Sequence, residues 1–349
     1  MKKSNLSRPG LAGNDYFSLD FINEKFVFLD QTKLPLSEIY IETESYERIA
    51  EAIEKLEVRG APLIGICAAY ALTLSLKDIS KEKWNKEFNK AVDRLAGTRP
   101  TAVNLFWAID EMKKVFEENN NSENLYEILL ARAKEIHNDD IEKCRKIGEN
   151  GLRIFKHKSR ILTHCNTGKL ATGGDGTAFN VIKTGYKNGL VEFVYADETR
   201  PLLQGLRLTS FELEKNGIPF NVQSDSSAAS LMREGKVDFV VVGADRIVLN
   251  GDTANKIGTY NLAVSANYHN VPFYVAAPST TIDKKTASGD DIKIEFRSKK
   301  ELTELNGQKI TPDNYEVYSP AFDVTPAHLI TGIITEKDVY TFPYNFLNE

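Results

Sequence analysis

The chain has 349 residues, 42% hydrophobic and 27% charged, with a formal net charge of -5. That length exceeds one ordinary core and predicts two domains, while mild acidity without a long basic run excludes nucleic acid as a partner on electrostatic grounds. Cys67, Cys144 and Cys165 stand far apart with no C-x-x-C pair, which excludes a disulfide scaffold and a thiolate zinc site and fits a reducing cytoplasm.

The first stretch, "MKKSNLSRPGLAGNDYF", starts basic but has no apolar segment behind it, so it does not read as a signal peptide. Short β-like runs such as "KFVFLDQTKLP" follow. From Ser45 the pattern turns helical: "SYERIAEAIEKL" opens on a capping serine with Glu47 in its first turn. Residues 60–76, "GAPLIGICAAYALTLSL", carry no charge and are barely long enough to span a bilayer. Pro62, two glycines and several hydroxyls make this a buried core helix entered through a Gly-Ala-Pro turn, and no membrane partner is expected. "NLFWAIDEMKKVFEE" and "NLYEILLARAKEIHNDDIEKCRKIGENGLRIF" keep apolar residues at three- and four-residue spacing, with the polar loop "EENNNSEN" between them.

After Ser159 the texture changes. "RILTHC", "VEFVYAD", "PFNVQS", "DFVVVGAD" and "PFYVAAP" are short buried-strand runs alternating with helical stretches, the signature of βαβ units on a parallel sheet. The fold expected is α/β: an N-terminal β-plus-helical domain over residues 1–150, then a parallel-sheet domain over 151–349.

Ligands of open α/β sheets sit beyond the C-terminal strand ends, so the residues there matter most. Cys165 follows the first run and opens "NTGKLATGGDGTA", a glycine-rich turn that is equally an anion cradle or a tight βα connection. A free cysteine is often a small buried hydrophobe, as Cys67 inside the apolar helix should be; the strand-end position favours a functional role for Cys165. Cys144, between Lys143 and Arg145, reads as incidental. Asp245 ends "VDFVVVGAD" and suits proton transfer at a partly desolvated crevice, the alternative being a pair with Arg246 or a turn cap. Arg59 in "VRGAP", Arg99 in "GTRPTAVN" and Lys256 in "ANKIGT" are candidate phosphate contacts, each otherwise a surface cation. His137, His157, His164, His269 and His328 show no ligand spacing, so no metal is expected; His164, beside Cys165, is open to either reading.

"VRGAPLIG", "GTRPTAVNL", "THCNTGKLATGGDGTA", "ADETRPLLQGLRLT", "SDSSAASLM", "GADRIVLNGDTANKIGTYNLA", "PFYVAAPSTTID" and "SPAFDVTPAHLITGIITE" together resemble the methylthioribose-1-phosphate isomerase family, which is related to the regulatory subunits of an initiation-factor exchange factor. The resemblance runs in order from Arg59 to Glu336. It implies a Rossmann-like C-terminal domain, a homodimer without cofactor, and a small phosphorylated pentose as substrate. The implied activity is the aldose–ketose isomerisation of 5-methylthioribose 1-phosphate to 5-methylthioribulose 1-phosphate in methionine salvage. Carried over by motif, Cys165 and Asp245 are the catalytic pair, and Arg59, Gly60, Ala61, Arg99, Gln204, Asn255 and Lys256 contact substrate. Two positions depart from the pattern: "IEFR" has Phe296 where the family has glutamate, and Ser319 stands where asparagine is common. These leave room for a paralogue acting on 5-deoxyribose 1-phosphate. A ribose-1,5-bisphosphate isomerase would need a second cationic pocket, and a binding-only subunit has no chemical need for both Cys165 and Asp245.

Overall fold

Phe26 to Leu29 are continuously buried, and they form the middle strand of a three-stranded antiparallel sheet: β1 (Leu19–Ile22), β2 (Lys25–Leu29) and β3 (Tyr40–Thr43). The computed structural model describes residues 15–100, 102–305 and 307–347, so the basic start of the chain, up to residue 14, lies outside the described residues. Ser45 caps α1 (Tyr46–Glu54) by accepting the Arg48 N–H. The uncharged stretch becomes α2 (Ala61–Leu74), and every residue from Leu63 to Leu74 in it is buried, Cys67 included. It is a core helix, and among the described residues no helix is long and apolar enough to cross a membrane.

α3 (Trp84–Ala96), α4 (Val103–Asn119) and α5 (Leu125–Gly151) complete the helical layer. Phe88 of α3 stacks on Phe116 of α4 with ring centroids 4.1 Å apart. α2 lies so close to α4 that a methyl group on Gly65 would come within 2.7 Å of the Asn104 carbonyl oxygen. Gly65 and Asn104 both sit near the starts of their helices, so the two N-termini approach one another.

The apolar runs beyond Ser159 form the expected parallel sheet. Its strands are β4 (Ser159–Thr163), β5 (Val191–Asp197), β6 (Phe220–Gln223), β7 (Phe239–Val242), β10 (Phe273–Ala276) and β15 (Gly332–Ile334), with antiparallel β16 (Val339–Thr341) at the edge. The order across the sheet is β16-β15-β10-β7-β4-β5-β6. Counted along the chain, the parallel strands therefore run third, second, first, fourth, fifth, sixth, the doubly wound Rossmann order. The connecting helices are α6 (Ala178–Lys187), α7 (Ser210–Lys215), α8 (Ala228–Arg233) and α9 (Thr259–Tyr268).

A second, smaller sheet was not expected from the sequence. It orders β11 (Ile282–Asp283), β8 (Arg246–Val248), β9 (Thr253–Lys256) and β14 (Phe322–Thr325), and a short hairpin joins β12 (Glu304–Leu305) to β13 (Gln308–Lys309). The chain divides into two compact units, the first holding residues up to Lys146 plus Thr167–Asn180, the second holding Ile147–Asn166 and the chain from Val181 onward. Each unit has its own buried apolar cluster.

Candidate active site

Strand order reverses between β4 and β7, which pair directly through Ile161 with Phe239 and Leu162 with Val240. Thr163 Oγ1 adds a 2.8 Å bond to the Val241 carbonyl. A crevice opens beyond the carboxyl ends of two strands at such a reversal. The residues that leave those two ends are Cys165 and Asp245.

Cys165 is buried and holds a left-handed backbone, φ 63°, unusual for a residue with a side chain. Thr199 Oγ1 accepts its N–H at 2.9 Å and Thr209 Oγ1 donates to its carbonyl at 2.5 Å. The next residue, Asn166, donates to the fully buried Glu212. Two hydroxyls and a buried carboxylate thus fix a strained turn that presents one thiol.

Asp245 is half-buried and its N–H bonds the Ala254 carbonyl at 2.9 Å, opening the β8–β9 hairpin. Arg246, its sequence neighbour, reaches Asp283 at 3.6 Å. Asn255 and Lys256 lie on β9, facing Asp323 and Phe322 of β14. Asn255 donates to Thr259 Oγ1; Lys256 Nζ bonds the Ala321 carbonyl at 2.8 Å and lies 4.3 Å over the Phe322 ring. Gln204 is buried, and its Oε1 has no hydrogen-bond partner among the described residues. It stands just before a π-helical turn, Gly205–Thr209, a local irregularity common at functional sites.

His164 was open on the sequence, and the structure gives it a definite chemistry. Its ring is buried; Nδ1 lies 3.0 Å from Asp197 Oδ2 and Nε2 lies 2.9 Å from the Ile257 carbonyl oxygen. The Ile257 carbonyl only accepts, so Nε2 carries a proton; opposite an ionised Asp197, whose carboxyl burial nonetheless raises above its usual range, Nδ1 donates as well and the ring is an imidazolium. Burial opposes that charge, but the hydrogen bond and negative charge of Asp197 outweigh it and hold His164 above the ordinary histidine value. His164, Asp197 and Asp225 bring ligand atoms within 4.8 Å of one another, the spacing of a metal site. With both ring nitrogens donating and both Asp225 oxygens accepting from Thr199 and Arg200 N–H groups, this trio is spent on internal bonds.

In the first unit, Arg59 precedes Gly60 and Ala61 at the start of α2, and Arg99 precedes α4, so both guanidinium groups belong to helix N-termini whose dipoles favour anions. Gly60 has φ 103°, and a methyl group there would lie 2.5 Å from the Ala171 carbonyl oxygen, so only glycine fits between α2 and the glycine-rich turn. That turn commits its own N–H groups internally: Gly173 to Asp140, Thr177 to the Thr167 carbonyl and Phe179 to Thr167 Oγ1. Cys144 is not incidental. It is buried on the α5 face that receives the turn, next to Gly174, and its carbonyl accepts from Asn180.

The two departures from the family pattern meet in one place. Phe296 bridges Pro320, and the Arg297 N–H bonds the Ser319 carbonyl at 2.8 Å. Phe296 is exposed and stands edge-on to exposed Tyr318, ring centroids 5.5 Å apart.

The sequence matches the Initiation factor 2 subunit family over residues 57–341. The chain belongs to that family. A methylthioribose-1-phosphate isomerase of Caldicellulosiruptor saccharolyticus is 51% identical over 93% of this chain and 96% of its own length. The isomerase of the same name from Thermotoga maritima is 50% identical over 94% of this chain and 95% of its own. The crystal structure of 5-methylthioribose 1-phosphate isomerase from Pyrococcus horikoshii OT3 superposes with a TM-score of 0.89 at 41% identity, covering 94% of this chain and 93% of that one. A structure described as translation initiation factor eIF-2B, subunit delta, from A. fulgidus gives 0.85 at 40% identity, covering 95% and 97%. The chain is thus similar both to proteins named for catalysis and to one named for translation.

Proposed function

We propose that the chain is a methylthioribose-1-phosphate isomerase of methionine salvage, with Asp245 as general acid and Cys165 assisting hydrogen transfer between C2 and C1. The observation that carries this reading is the placement of a strained, buried thiol and a half-buried carboxylate at the ends of the two strands where the sheet order reverses. Relatives of 50–51% identity over nearly the whole chain support the substrate.

The chemistry asks for these groups. C1 is locked as a phosphate ester, so the sugar ring cannot open to a free aldehyde. Asp245 delivers a proton to the ring oxygen O4 as the C1–O4 bond breaks. Hydrogen then passes from C2 to C1, the O2 hydroxyl loses its proton, and C2 becomes the ketone. One proton enters at O4 and one leaves at O2, which restores the carboxyl group. Cys165, buried in the fold, stands beside the reacting carbons, and exclusion of water there would strengthen every charge interaction. Gln204, with its idle buried oxygen, Asn255, Lys256, Arg59, Gly60, Ala61 and Arg99 are the substrate contacts, with the guanidinium groups on the phosphate. The reaction needs no cofactor or metal. The working form is a homodimer, consistent with exposed Tyr260, Val264 and Tyr268 at four-residue spacing along α9.

The test is kcat/KM for 5-methylthioribose 1-phosphate and 5-deoxyribose 1-phosphate side by side. A preference for the methylthio sugar is expected. Comparable rates, or a preference for the deoxy sugar, favour the paralogue reading that Phe296 and Ser319 leave room for. Folded protein that turns over neither contradicts the proposal and favours a binding subunit.

A further inference from the structure

Four strand ends of the second unit converge on one ring. His164 is the last residue before Cys165 at the end of β4. Its Nδ1–H goes to Asp197, the last residue of β5, whose other oxygen accepts from Gln223 at the end of β6 at 3.0 Å. Its Nε2–H goes to the Ile257 carbonyl, directly after Asn255 and Lys256 on β9. Gly258 holds φ 103° against the ring face, where a methyl group would lie 2.8 Å from His164 Cε1. The ring therefore sits between the turn that carries the thiol and the strand that carries two candidate substrate contacts.

We propose that His164 is a positioning residue of the isomerase: an imidazolium that holds Cys165 in register with Asn255 and Lys256. This rests on the reading of Cys165 as the thiol at the reacting carbons. The charge matters as much as the contacts. Opposite an ionised Asp197, a neutral ring has one N–H, so it satisfies either Asp197 or the Ile257 carbonyl and leaves the other facing a lone pair. Loss of the second proton would release one side of the clamp and let the Cys165 turn, already held away from ordinary backbone geometry, relax. The charged groups that face the ring are Asp197 from β5, Asp225 from the segment after β6 and Asp323 from β14, all acidic. Each favours the imidazolium. A metal-site reading requires a bare ring nitrogen and so makes the opposite prediction.

The wild-type protein tests the protonation directly. With nitrogen-15-labelled histidine, NMR just above the ordinary histidine value of about 6.5 should show one of the five histidines with both ring nitrogens still protonated. A neutral ring at every position overturns the proposal, whatever the variants do. Kinetics test the positioning. For folded His164→Gln, kcat should fall roughly 100-fold, the scale expected when a catalytic group is misplaced by an ångström, with KM nearly unchanged. Asp197→Asn removes the strongest of the acidic groups that favour the imidazolium, so its kcat should fall at a lower pH than that of wild type. Folded His164→Gln with wild-type kcat, beside an inactive Cys165→Ala, overturns this inference alone. Cys165→Ala with wild-type turnover overturns the reading of Cys165, and this inference with it.

Discussion

Asp140 of α5 is buried with its Oδ2 accepting the Gly173 N–H at 2.7 Å, and burial pushes its carboxyl up to about 6. A carboxyl whose folded value exceeds its unfolded one binds its proton more tightly in the folded state. Folding stability from this group is therefore present at low pH and lost as pH rises from about 4 through about 6. Asparagine keeps the acceptor and discards the charge. Asp140→Asn should accordingly gain stability relative to wild type as pH rises across that window, read from urea midpoints at each pH; a constant difference would contradict the assignment. At this scale the sequence showed residue types and concealed partners. Cys165 was legible because it ended an apolar run. His164 was not, because Asp197 and Ile257 lie 33 and 93 positions away. Cys144 misled because charged neighbours in sequence point elsewhere on a helix, while the helical turn aims its side chain at Gly174.

At the scale of elements, the buried strands read clearly because a parallel strand covered on both faces is a continuous apolar run. The small sheet did not, because "RIV", "TANK" and "FDVT" mix polar and apolar residues without alternation or length. Yet β9 carries Asn255 and Lys256, and Asp245 stands at the entrance to β8, so the least legible sheet holds much of the candidate site. The π-helical turn beside Gln204 was hidden for a related reason: its cause is a close approach rather than a motif. A methyl group on Gly205 would lie 1.7 Å from the Asp197 carbonyl oxygen, backbone against backbone. Gly205→Ala should cost about 3 kcal/mol or more, beyond the usual range for an extra methylene in a packed interior. Denaturant unfolding reads this directly, and a loss below about 1 kcal/mol would show that the turn is not held there.

For the whole molecule, the alternation of runs after Ser159 was enough to expect a parallel sheet, and the strand pairing bears that out. What alternation does not carry is the assignment of Thr167–Asn180 to the first unit, since a glycine-rich βα connection looks the same whichever core receives it. Gln31 Nε2 to the Leu170 carbonyl at 2.7 Å and Ser18 Oγ to the Thr172 carbonyl at 3.0 Å show how that segment is held. The same sheet order brings the ends of β4 and β7 together, although Cys165 and Asp245 are 80 residues apart in sequence. The proposed chemistry stands on that pair. The decisive measurement is therefore the turnover of 5-methylthioribose 1-phosphate by Asp245→Asn and Cys165→Ala, with folding and KM checked alongside. We predict kcat losses of roughly 100- to 10,000-fold for Asp245→Asn, the range for removing a general acid, a comparable loss for Cys165→Ala, and little change in KM. Either variant working within a few fold of wild type would show that the chemistry is done elsewhere.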